Sequence, residues 1–322
     1  MSLDPALAAV RRGVRATLAE TGPGDVVLVA CSGGADSLAL TAATVFEAGK
    51  LAVRVIGVTV DHGLQPESDL VTDRVVAQMA GLGCDETVTA RVQVDGAGMG
   101  VEAAARRARY AILSEVADRV GARLVLLGHT RDDQAETVLL GLTHGSGPRS
   151  LAGMRRGYDR FRRPLLDVTR AQTHAACTVE GLDWWEDPHN LDPAYTRVRV
   201  RETVLPLLEA ELGPGIAANL ARTADLTRAD VDHLDDLADR AWEAMAELGV
   251  EELDAMPVPI RTRVLRRAIL AAGAPSGELT HEHITAVEGL VTRWHGQAWI
   301  DLPGHLRATR VDRVIQLSST MQ

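Results

Sequence analysis

Cysteine is scarce in this sequence of 322 residues: only three occur, and no two of them form a CxxC pair. This spacing argues against a disulfide framework and against an obvious zinc or iron–sulfur site. No apolar run approaches the roughly 20 residues that a membrane-spanning helix requires. The N-terminal residues lack the apolar core of a signal peptide, and their pattern predicts an amphipathic helix. We therefore expect a cytoplasmic protein with no membrane partner.

Lysine is almost absent, since Lys50 is the only one, and the formal net charge is −10. Residues 225–254 hold 11 acidic and two basic residues, so the remainder of the chain is close to neutral. In contrast, residues 147–170 carry seven arginines and only two aspartates. An arginine-rich segment of this kind is typical of a nucleic-acid-binding surface. The alternative is a general preference of this chain for arginine over lysine, and the composition leaves both explanations open.

No Walker-type loop with the GxxxxGK[ST] spacing occurs, but a different glycine-containing turn does. The apolar run VVLVA at residues 26–30 predicts a buried strand, and residues 37–49 predict a helix that ends at a glycine. The intervening SGGADS is then a strand-to-helix turn whose free backbone amides can bind an anion. The carboxylate of Asp36 would repel a phosphate, so its presence in the turn favours a Mg²⁺ ion that it binds and that bridges to phosphate. The plainer alternative is an ordinary turn in which Ser and Asp cap the helix.

Strand and helix patterns alternate through the first half of the chain. Strands are predicted at residues 53–60, 86–94 and 123–128, and helices at residues 67–83, 100–121 and 132–142. This order predicts an α/β fold with a doubly wound parallel sheet, whose ligand lies at the carboxyl ends of the strands. Helical patterns then dominate residues 216–292, and short strands follow at residues 297–317. We expect one domain at residues 1–213 and a smaller, mainly helical domain with a short β tail at residues 214–322.

Polar side chains follow the predicted strands at the edge where a nucleotide would lie. Asp61 and His62 come directly after one strand, and His129 follows another. Asp132 and Asp133 open the next helix, where they could complement the helix dipole. Together with the aspartate of the SGGADS turn, one of them is alternatively a second magnesium ligand. His129 either contacts the nucleotide or caps the helix that follows it.

Further motifs accompany the SGGADS turn in a fixed order. They are DHGLQPES (61–68), EAAARRARY (102–110), GHTRDDQAET (128–137), GM with RRPLL (153–154 and 162–166) and WEDPHNLDPAYTRVRVR (185–201). The turn resembles the pyrophosphatase loop, or PP-loop, of the N-type ATP pyrophosphatases. The ordered set resembles one branch of that superfamily, the tRNA(Ile)-lysidine synthases, in a short form with a single appended domain. The resemblance implies an adenine nucleotide alpha hydrolase-like fold.

The resemblance also implies a reaction, that of an ATP-dependent ligase in tRNA processing. The cytidine at anticodon position 34 of a tRNA(Ile) with anticodon CAU attacks the α-phosphate of ATP through its C2 oxygen and releases pyrophosphate. Free L-lysine then attacks C2 with its side-chain amine, which releases AMP and leaves lysidine. ATP and Mg²⁺ are the implied cofactors, and the tRNA and lysine are the implied partners. A homodimer is the assembly that we consider.

Candidate residues follow from the motifs and the strand-end positions together. The catalytic candidates are Asp36, Asp132 and Asp133, with Asp36 and Asp132 as magnesium ligands. The nucleotide-binding candidates are Ser32, Gly33, Gly34, Ala35, Asp36, Ser37, Asp61, His62 and His129. The candidates for binding lysine or tRNA are Glu102, Arg106, Arg109, Arg162, Arg163, Trp185, Arg197 and Arg201. For Arg106 and Arg109 the alternative role is a surface ion pair with Glu102. For Trp185 the alternative is a buried position in the hydrophobic core.

Two other functions remain compatible with the fold. A tRNA thiolase would carry the same loop but would use a reactive or cluster-bound cysteine, and the absence of a CxxC pair counts against it. A nucleotide-binding sensor without turnover would need the loop, but neither the paired acids nor the long basic segment. Incorporation of lysine into tRNA separates both from the lysidine synthase.

Overall fold

The structure is a computed structural model that describes residues 3–61, 68–91, 101–143 and 147–320. The side chains of residues 101–103, 105, 188 and 189 lie outside this description. The chain divides into a first unit of residues 1–145 and 150–224 and a second unit of residues 146–149 and 225–322. The expected division of function at residue 213, between a catalytic and a tRNA-binding domain, stays a prediction.

A six-stranded sheet forms the centre of the first unit. Its strands are β1 (Val26–Ala30), β2 (Arg54–Asp61), β3 (Glu86–Arg91), β4 (Ala122–Leu126), β5 (Gly157–Tyr158) and β6 (Phe161–Arg162). The spatial order is β3-β2-β1-β4-β6-β5, and every neighbouring pair is parallel except β5 with β6. The predicted α/β fold with a doubly wound, mainly parallel sheet is confirmed.

Helices precede, connect and follow these strands, and the sequence patterns predicted the first five of them. They are α1 (Pro5–Leu18), α2 (Ala35–Ala48), α3 (Ser68–Leu82), α4 (Val101–Val120), α5 (Arg131–Thr143), α6 (Pro148–Leu151), α7 (Arg170–Val179), α8 (Thr196–Arg199) and α9 (Leu205–Leu212). A five-residue π-helical segment, Val200–Val204, joins α8 to α9. Such segments are rare within α-helices and often occur at functional sites.

Both faces of the central sheet are buried, which explains why its strands are continuous apolar runs in the sequence. Val27 and Val29 of β1 belong to a core that α1, α2 and α7 complete on one face. Leu28 points to the other face, where it belongs to a core with Leu113 and Val116 of α4. This alternation is the two-residue period of a strand. The parallel pairing of β1 with β2 and with β4 brings the carboxyl ends of these three strands to one edge of the sheet.

The β5–β6 hairpin is the part of the sheet that the sequence analysis missed. β6 pairs in parallel with β4, and β5 returns antiparallel through a turn in which Asp159 has a φ of 47°. Strands of two residues are too short to produce a periodic pattern, so the segment resembled an irregular, arginine-rich loop. The hairpin attaches part of that arginine-rich segment, including Arg162, to the edge of the sheet.

The second unit packs helices against a small antiparallel sheet. It contains most of α10 (Ile216–Ala244), then α11 (Val250–Ala255), α12 (Val258–Ala271), α13 (His281–Thr292), β7 (Ile300–Leu302), β8 (Leu306–Val311) and β9 (Val314–Ser319). Its core joins Val264 and Ile269 of α12 to Val287 of α13 and to Ala308 of β8. The predicted helices followed by short strands are confirmed. Among the described ranges, no helix combines the length and apolar character needed to cross a membrane.

Candidate active site

Glycine is required where β1 turns into α2. Gly33 has a φ of 83°, and a Cβ built on it would lie 2.5 Å from Cγ2 of Val75. Gly34 is extended and occupies the N-cap position of α2 without a side-chain cap. The first amides of a helix, here beginning at Ala35, have no acceptor within the helix. The turn therefore presents backbone donors at the carboxyl edge of the sheet, next to the positive end of the α2 dipole.

The Ser37 hydroxyl holds this turn together from inside. It donates to the carbonyl of Gly34 at 2.9 Å and accepts from the backbone amide of Ser32 at 3.1 Å. The hydroxyls of Ser32 and Ser37 are also 3.3 Å apart. Because Ser37 is buried, its visible action in this structure is to position the loop. Direct contact of either serine with phosphate stays a prediction.

Asp36 lies at the centre of a group of polar contacts. The hydroxyl of Thr173, on α7, donates to Oδ1 of Asp36. The guanidinium of Arg170 lies 3.7 Å from the other carboxylate oxygen. Burial, together with the nearby charges of Asp133 and Asp132, raises the pKa of Asp36 to about 6. The ionised form of Asp36 is thus held under electrostatic stress that a cation would relieve.

The start of α5 brings Asp132 and Asp133 to the same edge as Asp36. Oδ2 of Asp132 accepts from the backbone amide of Arg170 at 2.9 Å. Oδ2 of Asp133 accepts from the amide and the hydroxyl of Thr130 at 2.8 and 3.0 Å, and its Oδ1 accepts from the Arg170 side chain at 3.0 Å. Burial alone would raise the pKa of Asp133, but the positive charges, that of Arg170 first, hold it below the usual value.

Glu136, one helical turn after Asp133, is a site residue that the sequence analysis missed. Its side chain is fully buried, and it accepts from Nε of Arg197 and from Nε of Arg201, each at 2.7 Å. The guanidinium nitrogen Nη2 of Arg170 lies 3.4 Å from Oε1 of Glu136. The only available signal was the i, i+3 spacing of Asp133 and Glu136, which places both acids on one helical face. Arg197 and Arg201 therefore neutralise a buried acid here, and their contact with substrate stays a prediction.

His129 lies beside this acidic group as a neutral side chain. Burial, together with the charges of Arg163 and Arg106, lowers its pKa to about 3 against the opposing effect of Asp133. Its buried Nδ1 has no hydrogen-bond partner among the residues that the structure describes. Thr130 exchanges hydrogen bonds with Asp133 at the start of α5. Thr130, rather than His129, is thus the cap of this helix.

The predicted residues on the β2 side are only partly described. The buried carboxylate of Asp61 lies 3.2 Å from Nε of Arg91. His62 lies outside the described residues, and so does the side chain of Glu102. Trp185 reaches the PP-loop through its backbone, whose amide donates to the carbonyl of Gly33 at 2.9 Å. A contact of the Trp185 ring with tRNA stays a prediction.

The remaining predicted arginines differ in how far their side chains are exposed to solvent. Arg106 and Arg109 are exposed, and Arg106 donates to the hydroxyl of Tyr110 at 3.2 Å. Arg163 is buried and donates to that same hydroxyl at 3.0 Å. Arg162 binds both carboxylate oxygens of Glu20 through Nε at 3.0 Å. The structure thus leaves Arg106 and Arg109 more accessible than Arg162 and Arg163.

Asp36 and Asp132 have the chemistry that a magnesium ion requires. Mg²⁺ prefers hard oxygen ligands and is commonly held by one or two carboxylates, with phosphate and water completing its shell. Within the described ranges, no three or more His, Cys, Asp or Glu side chains are grouped to hold a metal by themselves. The stressed carboxylate of Asp36, with Asp132 nearby, fits an ion that is shared with phosphate. The donor set is therefore compatible with Mg²⁺.

Comparison with known proteins decides between the branches that share this loop. A model of the PP-loop domain matches residues 9–208, and a model of the TilS substrate binding domain matches residues 248–314. The tRNA(Ile)-lysidine synthase of Thermobifida fusca is 53% identical, covering 98% of this chain and 98% of its own length. This chain belongs to the tRNA(Ile)-lysidine synthase family. The family member from Streptomyces coelicolor is 54% identical over 88% of this chain and 83% of its own length.

A solved structure outside the tRNA(Ile)-lysidine synthase family shares the fold. The U34-tRNA thiolase NcsA from Methanococcus maripaludis with its [4Fe-4S] cluster has a TM-score of 0.60 and 18% identity. The match covers 70% of this chain and 80% of that one. At this identity the likeness concerns the fold alone. In the protein described here, by contrast, the three cysteines are free thiols, and burial raises the pKa of each. They are Cys31, Cys84 and Cys177.

Proposed function

We propose that this protein ligates L-lysine to C2 of the cytidine at anticodon position 34 of a tRNA(Ile) with anticodon CAU, using ATP and forming lysidine. Membership of the tRNA(Ile)-lysidine synthase family over nearly the whole chain is the observation that carries this function. The geometry supports it, because the PP-loop, Asp36, Asp132 and Asp133 meet at one edge of the sheet. A cytoplasmic location and a homodimeric assembly complete the proposal.

The PP-loop is proposed to bind the pyrophosphate that leaves the α-phosphate of ATP. Gly33 and Gly34 let phosphate oxygens approach the backbone, and the amides at the start of α2 donate to them. Asp61 and His129 are proposed to contact the rest of the nucleotide, because Asp61 ends β2 and His129 follows β4 at the same edge. His62 is proposed as a third contact from its position in the sequence alone. Preorganised donors of this kind stabilise charge that develops during the reaction.

Asp36 and Asp132 are the residues that we propose to hold Mg²⁺. When bound there, the ion supplies positive charge to the phosphate oxygens. Thr173 and the backbone amide of Arg170 orient the two carboxylates through the hydrogen bonds described above. Both orienting groups belong to the first turn of α7, so the position of this helix determines how the carboxylates face the loop.

Asp133 is proposed to bind the ammonium group of lysine rather than to accept its proton. A carboxylate whose pKa lies below the usual value is a weak base but a good partner for a cation. For the tRNA, Arg106 and Arg109 are the proposed primary contacts because both are exposed. Further candidate contacts are Glu102, Arg162, Arg163, Trp185, Arg197 and Arg201.

Transfer of lysine into tRNA is the experiment that tests the proposed function. With ATP, Mg²⁺, radiolabelled lysine and tRNA(Ile) of anticodon CAU, label should enter the tRNA, with one AMP and one pyrophosphate released for each lysine. The measurement is acid-precipitable label together with nucleotide analysis of the digested tRNA.

Two control reactions distinguish lysine transfer to cytidine 34 from the alternative functions. A tRNA with uridine at position 34 should accept no lysine, because the second step displaces an activated cytidine oxygen. A parallel reaction supplies labelled sulfur in place of lysine. Sulfur label without lysine label would identify a thiolase instead, and ATP binding without pyrophosphate release would identify a sensor.

A further inference from the structure

Segment 183–186, which follows α7, lies against the PP-loop and contacts it through the backbone. The amide of Trp185 donates to the carbonyl of Gly33 at 2.9 Å. A Cβ built on Gly34 would lie 3.9 Å from the carbonyl oxygen of Trp185, so the two stretches of backbone are neighbours. The segment therefore meets the PP-loop at the peptide group that joins Gly33 to Gly34.

This peptide group has few constraints of its own. It lies between two glycines, and glycine adopts positive and negative φ with similar ease. The first helical hydrogen bond of α2 ends on the carbonyl of Gly34, which accepts from the amide of Leu38 at 3.0 Å. The carbonyl of Gly33 is therefore outside the helical ladder, and the hydrogen bond from Trp185 is what fixes its direction.

The direction of this group determines whether it attracts or repels a phosphate. In a trans peptide the C=O and the N–H point in opposite directions. Because the carbonyl of Gly33 points to Trp185, the amide of Gly34 points away from segment 183–186. In that direction it can join the first amides of α2 in binding an anion. A rotation by half a turn would exchange the two groups and present a carbonyl oxygen to the phosphate.

Side chains from two helices hold segment 183–186 in place. The side-chain amide of Gln78, on α3, donates to the carbonyl of Asp183. The ring of Trp184 lies 4.9 Å, centre to centre, from that of His174 on α7. Trp184 also packs against the hydrophobic core, whereas the contact of Gln78 is a hydrogen bond to the main chain. Gln78 is therefore the support that can be removed with the smallest effect on the core.

Helix α3 contacts the same turn at a second position. Val75 lies three residues before Gln78 and on the same helical face. Its Cγ2 would lie 2.5 Å from a Cβ built on Gly33, so it packs directly against the turn. An apolar contact fixes where the turn lies, but it does not select which way a peptide group faces. That selection depends on the hydrogen bond from Trp185.

We propose that Gln78 is a positioning residue for ATP binding. It holds segment 183–186 so that Trp185 keeps the amide of Gly34 directed toward the phosphates. Without this support the peptide group populates both directions, and only one of them binds ATP. The apparent affinity then falls by the populated fraction, while the bound complex is unchanged. This inference rests on the proposed function, because that function makes the PP-loop a phosphate site.

The test uses the full-length Gln78→Leu variant, since leucine is similar in size and has no donor. An ATP analogue that cannot be cleaved between the α and β phosphates should bind about fivefold more weakly, the usual contribution of one hydrogen bond. The KM for ATP should rise by the same factor, whereas kcat at saturating ATP should change by less than about twofold. Without ligand, the amide of Trp185 should exchange its hydrogen faster in the variant. A general loss of packing would not produce this separation of KM from kcat.

Gln316→Leu is the matched control, because it makes the same substitution at an exposed residue of β9. It should leave the affinity for the analogue unchanged. A second pair of variants addresses the donor itself. Trp185→Pro removes the amide, whereas Trp185→Ala keeps the amide and removes the ring. The proline variant should weaken binding of the analogue at least as much as Gln78→Leu does, and the alanine variant should weaken it less.

Three results would overturn the proposal. They are an unchanged dissociation constant for Gln78→Leu, a fall in its kcat without a rise in KM, and equal losses for the proline and alanine variants of Trp185. Binding of the analogue does not require lysine or tRNA. A protein that binds the analogue in the predicted way but transfers no lysine would therefore contradict the proposed function and leave this inference standing.

Discussion

Replacing Asp36 with asparagine should lower the rate of ATP-dependent pyrophosphate release by about a thousandfold. The expectation follows from the position of this carboxylate at the PP-loop, where loss of charge stabilisation by one group commonly costs a factor of about a hundred to a thousand. Asparagine keeps the size of the side chain and an oxygen that can accept from Thr173. The measurement is steady-state pyrophosphate release with saturating tRNA, and an unaffected rate would remove Asp36 from the mechanism.

The same variant should be more stable than the natural protein at neutral pH. The pKa of Asp36 is about 6 in the folded protein against an ordinary value of 3.8, so folding favours its protonated form. The ionised carboxylate therefore costs stability as the pH rises from about 4 to 6, and above that the cost stays near 2 to 3 kcal/mol. Asparagine removes this cost.

Denaturant unfolding at pH 7.5 and at pH 4 tests the stability of the Asp36 variant. The gain in free energy of unfolding should be present at the higher pH and nearly absent at the lower one. Asp73→Asn is the control, because Asp73 is an exposed acid on α3 and its loss makes the same change in net charge. A gain that is equal at both pH values would contradict the electrostatic explanation.

Replacing Glu136 with glutamine should destabilise the protein by about 3 to 5 kcal/mol. The substitution keeps the shape of the side chain but leaves Arg170, Arg197 and Arg201 around a neutral group in a buried site. Removing one partner of a buried ion pair commonly costs this much, and here Asp133 would be left as the acid shared by all three arginines. The measurement is the midpoint and slope of denaturant unfolding at neutral pH.

Two further variants determine whether the lost charge of Glu136 causes the expected loss of stability. Glu202→Gln neutralises an exposed acid in the π-helical segment and should change stability by less than about 0.5 kcal/mol. In the double variant Glu136→Gln, Arg197→Gln, one of the three cations that depend on Glu136 is absent. Its loss of stability should be smaller than the sum of the two single losses. Additive losses would show that Glu136 acts by packing and not through its charge.

The sequence predicted the elements whose side chains follow a strong period or end at a glycine. The buried run at Val26–Ala30 and the helix behind it follow from local physics: an apolar strand, two glycines and free helix amides. The same reasoning placed Asp61 and Asp132 near the carboxyl ends of their strands, because parallel strands end at a common edge.

What the sequence could not show depends on contacts between distant segments. Glu136 was missed because an acid within a helix ordinarily faces solvent, and only the fold reveals that Arg197 and Arg201 reach it. Thr173 was missed for the same reason, since it meets Asp36 only when α7 packs beside α2. For the arginine-rich segment at residues 147–170 the sequence left two explanations open, and it could not show that the hairpin pairs Arg162 with Glu20.

Amide hydrogen exchange is the measurement that tests the central claim most directly, the claim that the PP-loop binds the phosphates of ATP. The protein is compared alone and with Mg²⁺ and an ATP analogue that cannot be cleaved between the α and β phosphates. Slower exchange should appear at the amides of residues 33–36. A contradiction would be unchanged exchange there together with protection of residues 156–159, 162 and 163, which line a cavity of about 480 Å³ beside α1.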